Sequence, residues 1–190
     1  MKQQLTPPAV EPIPLSVAKS YLRVDHADED ALIELLITAV RMKAEGLTGR
    51  ALITQDWRIT LDGFPFEAID LALSPVQSVI QLSYTDRDGV DQLMASAGYK
   101  LLAADVAPLL YPVDVWPDTA SAPDAVRIDV RCGYGAAGDA VPAPIRSWML
   151  LRLAGAYESR NSVVTGASVV ELPHSHLDGL LDQYRILRVA

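Results

Sequence analysis

The chain has 190 residues, half of them apolar, with 16 basic against 24 acidic side chains and a formal charge of −8. That length buries one core of ordinary size, or a core with an elaboration, and excludes a second full domain. Such acidity excludes a phosphate-gripping surface, which needs clustered Lys and Arg, yet it suits a channel wall past which a duplex must slide.

The first fifteen residues, "MKQQLTPPAVEPIPL", hold four prolines and no continuous apolar run, so an extended arm is expected over 1–15 and a signal peptide is not. No apolar stretch reaches the length of a membrane span. Cys132 is the single cysteine, which rules out an intramolecular disulfide and a thiolate zinc site and fits a reducing cytoplasm. A soluble, unexported protein with no membrane partner is the expectation.

Ser16 offers an N-cap for a short helix, Val17 to Leu22. After "DHADED", Leu32, Leu35, Leu36, Ala39, Val40 and Leu47 recur at helical spacing, with Asp28, Glu29 and Asp30 near the positive end of the helix dipole. Gly49 supplies the left-handed residue that ends it, predicting a helix over 28–48. From Leu52 the period changes to two. Ile53, Trp57, Ile59 and Leu61 share one face, and Thr54, Asp56, Arg58, Thr60 and Asp62 the other. Further strands are predicted over 69–73, 76–84, 90–94, 99–103 and 126–132. "APLLYPVDVWPDTASAPD" reads as a proline-punctuated loop over 107–125.

The helical period returns after "CGYGAAGDAVPAP". Pro144 suits a first turn, and Ile145, Trp148, Met149, Arg152 and Ala156 follow on one face of a helix ending near Glu158. A last short helix carries Leu177, Leu180, Leu181 and Tyr184. The order of elements predicts an α+β fold: a helical core formed from N- and C-terminal helices with an inserted antiparallel β region. One domain is expected over 16–184, with helices in 16–48 and 143–184, the β region at 52–132, and a tail at 185–190. In the core, Trp148, Met149 and Leu153 should lie against Leu32, Leu36 and Val40.

Chemistry-bearing motifs are sparse. Phosphate loops, dinucleotide fingerprints, His-Glu-x-x-His and Gly-x-Ser-x-Gly are all missing from the sequence. Asp86, Asp88 and Asp91 surround Gly89 but lack the spaced ligands and distal Glu of a calcium loop, and Asp-Gly between strands is a hairpin signal. His174 and His176 precede a helix without a third metal ligand nearby. "DHADED" reads as a solvated helix start, and Cys132 as a small buried apolar residue. Two other classes remain open. A metal-dependent enzyme would bring Asp86, Asp88 and Asp91 to His174 and His176. A β-type ligand-binding module would present Trp57, Tyr84 or Trp116 on a concave face.

Five segments occur in an order that resembles the tailed-phage head–tail connector family of adaptor and head-completion proteins. They are "EPIPLSVAKSYLRVD", "TGRALITQDWRITLDGFP", "LSPVQSVIQLSYTDRDGV", "VRIDVRCGYG" and "VPAPIRSWMLLRLAGAYESR". The resemblance implies a structural protein of a virion or prophage with no catalytic, cofactor or metal residues. It implies a homo-oligomeric ring of twelve-fold symmetry under the portal protein, joining the head to a downstream head–tail joining or tail protein, with DNA passing through the lumen without sequence-specific binding. The location implied is the virion neck, after assembly in the host cytoplasm. Subunits would pack side by side, using the outer face of helix 28–48 and the β region, and the isolated chain can be a monomer. The tail residues Ile186, Leu187, Arg188 and Val189 form an apolar, basic segment expected either to dock on the portal by adding to a sheet edge or to fold back on the protein's own helices.

Overall fold

Helices and antiparallel strands make up the chain, in a computed structural model that describes residues 1–158 and 179–186. Two compact units are present. One comprises residues 1–9 and 54–134, the other residues 10–53 with the described residues from 135 onward.

The first unit is built of strands: β1 (Lys2–Thr6), β2 (Gln55–Leu61), β3 (Ile69–Asp70), β4 (Val76–Thr85), β5 (Asp91–Leu93), β6 (Tyr99–Leu102), β7 (Leu109–Pro112) and β8 (Val126–Cys132). A five-stranded sheet runs β1-β2-β8-β4-β5 and a three-stranded sheet β3-β7-β6. The central strand β8 shows why: Val126, Ile128, Val130 and Cys132 are fully buried, while Arg127, Asp129 and Arg131 point the other way. Ile59, Leu82, Ile69, Leu71 and Leu110 complete this core, so both sheets bury their apolar faces together.

On the wet face, β2 and β8 oppose unlike charges. Arg58 lies across from Asp129 and Asp56 across from Arg131. Each pair is bidentate, at 2.7 and 2.8 Å for Arg58 and 2.8 and 3.0 Å for Arg131. The Arg131 guanidinium holds the Asp56 carboxyl below the usual carboxylate range, and Asp129 raises Arg58. With the arginine side open to water, pairs of this kind add little to stability. Their larger effect is on register, since a one-residue slip would turn every arginine into the core.

Two segments differ from expectation. Residues Lys2–Thr6 of the proline-rich arm are extended but paired, forming an edge strand on β2. In the loop over 107–125, Leu109–Pro112 is a strand bonded on both sides, to β3 and to β6. Pro108 and Pro112 frame it where the lost donors cost little, and Leu110 between them is fully buried. Strand β3 is shorter than predicted, ending at Asp70.

The second unit carries α1 (Leu15–Leu22), α2 (Asp30–Thr48), α3 (Ala143–Glu158) and a 3₁₀ turn, Gly179–Tyr184. Helix α1 starts earlier than Ser16 would place it, because the Pro14 carbonyl already accepts the Val17 and Ala18 N–H groups. Helix α2 starts at Asp30, and Gly49 closes it at φ 70° with its N–H on the Glu45 carbonyl. Trp148, Met149 and Leu153 of α3 are buried as expected. The inward face of α2 matches the predicted one at Val40, with Leu36 half-buried beside Trp148, and departs from it elsewhere. Ile33, Ile37, Val40, Arg41, Ala44 and Thr48 are buried, whereas Leu32 and Leu35 are exposed.

Arg41 decides that rotation. Its Nε donates to Glu11 Oε2 and its Nη1 to Glu45 Oε2, both at 2.8 Å. Glu11 also accepts from Thr38 Oγ1 at 2.9 Å, and Glu45 accepts the Leu52 N–H at 2.9 Å. One buried guanidinium thus ties the segment before α1, α2 itself and the chain beyond Gly49. Removing one partner of a buried ion pair leaves the others desolvated and uncompensated. Arg41→Ala is expected to lower stability by about 2–4 kcal/mol, the lower side of that class because Glu11 keeps some water contact. Urea unfolding checks this, and a loss below about 1 kcal/mol would mean that the network does not hold the unit together.

Candidate interaction surfaces

The sequence-selected polar fragments have structural explanations. Asp86 Oδ1 accepts the N–H groups of Asp88 and Val90, at 3.0 and 2.9 Å, and its Oδ2 accepts from Gln92. Those bonds hold the Asp86 carboxyl below its ordinary range, and Gly89 takes φ 80° in the turn between β4 and β5. Asp91 accepts from Thr85 and Arg127, which lower its pKa in the same way. In the acidic stretch before α2, Lys19 bonds Asp30 and the His26 carbonyl. Among the described residues no group of three or more His, Cys, Asp or Glu side chains is arranged to hold a metal. His174 and His176 lie outside the described residues.

The Cys132 thiol is fully buried and lies 3.7 Å from the Gln55 carbonyl, which accepts its weak hydrogen bond. The aromatics considered for ligand binding are used in packing. Trp57 and Tyr84 lie against the β core, and Trp57 donates its indole N–H to Gln55. Trp116 stacks on Phe64, with ring centres 4.7 Å apart and planes within 3°, and Tyr84 meets Phe64 edge-on at 5.6 Å. No described helix is long and apolar enough to cross a membrane.

What remains is apolar surface without chemistry. Phe66 is 99% exposed. It sits between two fixed points, because Phe64 is clamped on Trp116 and the Trp116 indole N–H donates to the Glu67 carbonyl at 2.6 Å. Ring and backbone anchors on both sides leave Phe66 projecting from a braced loop. The signal in the sequence is "GFPF": two phenylalanines flank a proline that fixes φ, and only one of them finds a partner.

A second surface is a groove of about 630 Å³ between α2 and α3. Val40 and Trp148 form its buried part, Leu36, Leu47 and Leu151 its apolar walls. Lys43 and Arg152 bring two cations to it, the Arg152 guanidinium standing 5.4 Å from the centre of the Trp148 ring. Gly155 and Ala156 keep it open. The apolar stripe that the sequence assigns to the core supplies one wall of this groove.

Of the tail residues, only Ile186 is described. Its N–H donates to the Thr48 carbonyl at 2.9 Å, and Arg50 Nε donates to the Tyr184 carbonyl at 2.6 Å. Both bonds satisfy groups at or near the end of α2. Leu187, Arg188 and Val189 lie outside the described residues, as does Leu177.

Comparison with known proteins places these surfaces in context. No curated protein matches the sequence. Among solved structures, a chain from the neck of an empty gene transfer agent particle, computed with C6 symmetry, has the same fold: TM-score 0.83 and 24% identity, covering 100% of this chain and 97% of that one. A chain from the virion of a native gene transfer agent particle matches equally, with the same TM-score, identity and coverage. A chain from the neck of a native particle computed with C12 symmetry matches with TM-score 0.71 and 22% identity, over 100% of this chain and 97% of that one. Residues 12–96 match the family model of the phage gp6-like head-tail connector protein. From the segment before α1 through β5, the sequence therefore carries the pattern of the phage gp6-like head-tail connector family, as its resemblance indicated.

Proposed function

We propose that the chain is a structural protein of a phage-like particle, forming a closed ring beneath the portal and joining the DNA-filled head to the tail. The observation that carries this reading is the match of residues 12–96 to head-tail connector proteins. The fold likeness to chains of particle necks supports it, and necks computed with C6 and C12 symmetry favour a ring of twelve. The helical unit is the rigid core of the subunit in this reading, and the outer side of α2 and the β unit make its lateral contacts. Such contacts are heterologous, with different patches meeting, so they close into a ring when the rotation between neighbours fits. The chain's partners are other copies of itself, the portal protein and a downstream tail protein, and its place is the virion neck after assembly in the host cytoplasm. A net charge of −8 lets DNA pass through the lumen without being gripped.

The role needs no reaction. Among the described residues, Asp86 is bound up in a turn and Asp91 on Thr85 and Arg127. Particles assembled without this chain are expected to accumulate as filled heads separate from finished tails. Electron microscopy of such lysates checks this, and intact tailed particles would contradict the reading.

The tail contact is part of the same proposal. Tyr184 and Ile186 are fastened to Arg50 and Thr48, so docking on the portal falls to Leu187, Arg188 and Val189. Main-chain bonds to a sheet edge would give affinity there, and the apolar side chains would enter pockets. Deleting residues 187–190 while keeping Ile186 is expected to leave the melting temperature unchanged and to abolish attachment to portal-bearing heads. Normal attachment, or a markedly lower melting temperature, would overturn the docking role.

A further inference from the structure

We infer that the Phe66 loop of one copy is the occupant of the α2–α3 groove of the next, a knob and socket that joins neighbours in the ring. The inference rests on the ring reading above and names the contact within it. A fully exposed phenylalanine on a loop fixed at both ends gives up little conformational freedom on docking, which is how an interface anchor is built. The groove has the complementary character. Its walls are aliphatic and aromatic, and small residues leave room for a ring.

Charge agrees as well. Asp62, Glu67 and Asp70 flank Phe66, all of them exposed, whereas Lys43 and Arg152 stand at the groove. An acidic loop entering a socket that carries Lys43 is steered into one orientation. Carrying knob and socket on different surfaces of one chain also has a geometric consequence: each subunit offers one of each, so contacts propagate head to tail and do not stop at a symmetric pair.

The test uses two introduced cysteines, Phe66→Cys and Leu151→Cys, in one full-length chain, with the native Cys132 thiol buried out of reach. Particles assembled with this variant are oxidised, and wild-type particles are treated in parallel with an amine-reactive cross-linker that reports any ring. The expected result is a ladder of disulfide-linked multimers from the double variant and none from either single variant. An amine ladder without the disulfide ladder would overturn the knob contact while leaving the ring intact. Absence of both ladders would remove the ring and the contact together. Disulfides from Phe66→Cys to a different protein would show another occupant and overturn the inference.

A second variant separates docking from folding. A Cβ added at Gly155 meets nothing within 4 Å, so Gly155→Leu places a larger side chain at the groove from a position with open space for its first carbon. Its melting temperature should be equal to or above that of the wild type, because leucine favours a helix more than glycine does. Incorporation into particles should fall about tenfold or more, the scale of a lost interface anchor. Normal incorporation of Gly155→Leu would overturn the inference.

Discussion

Arg41 sets the rotation of α2, and much of the molecule follows from that one buried cation. A guanidinium taken out of water must be paired, and Glu11 and Glu45 pair it from two directions. Satisfying those bonds turns Ile33, Ile37, Ala44 and Thr48 inward with it. The other apolar stripe, with Leu32, Leu35, Leu36 and Leu47, must then lie toward solvent or along the groove with α3. A helix with apolar residues on two faces has one face left over, and such a surplus is the kind of surface that an assembly contact would cover.

The same rotation explains where sequence reading falls short. Hydrophobic period alone favours the leucine-rich stripe for the core, because it scores Arg41 as a surface residue; nothing local shows that Glu11, thirty residues away, will meet it. Strand β8 was legible to the residue, since it is central and its apolar and charged positions alternate strictly over seven residues. Gly49 and the Asp88-Gly89 turn were legible for an equally local reason: each needs a positive φ, and glycine supplies it. Strand β7 was not, because its prolines are loop signals and its partners β3 and β6 are chosen by tertiary packing around Leu110. The edge strand β1 escaped notice for the complementary reason: all five of its residues are exposed, so no burial period marks it.

For the interaction surfaces the outcome is divided. Among the described residues the chemistry-like fragments are spent on structure, with Asp86 in a turn and Asp91 on Thr85 and Arg127. Phe66 was missed because exposure cannot be read from a pair of nearby phenylalanines; which of the two is captured depends on Trp116, some fifty residues along the chain. The Phe66 loop is held by Trp116 before any partner arrives, so in the proposed contact little order would have to be created on association.

The ring proposed for this chain can be looked for in the particle neck itself. Electron cryomicroscopy of the neck in particles carrying the full chain tests it most directly. The account predicts a layer beneath the portal into which copies of this fold fit as a closed ring around the DNA channel, each touching two neighbours through different faces. A neck without such a layer, or this chain found only as symmetric dimers or at another place in the particle, would contradict it.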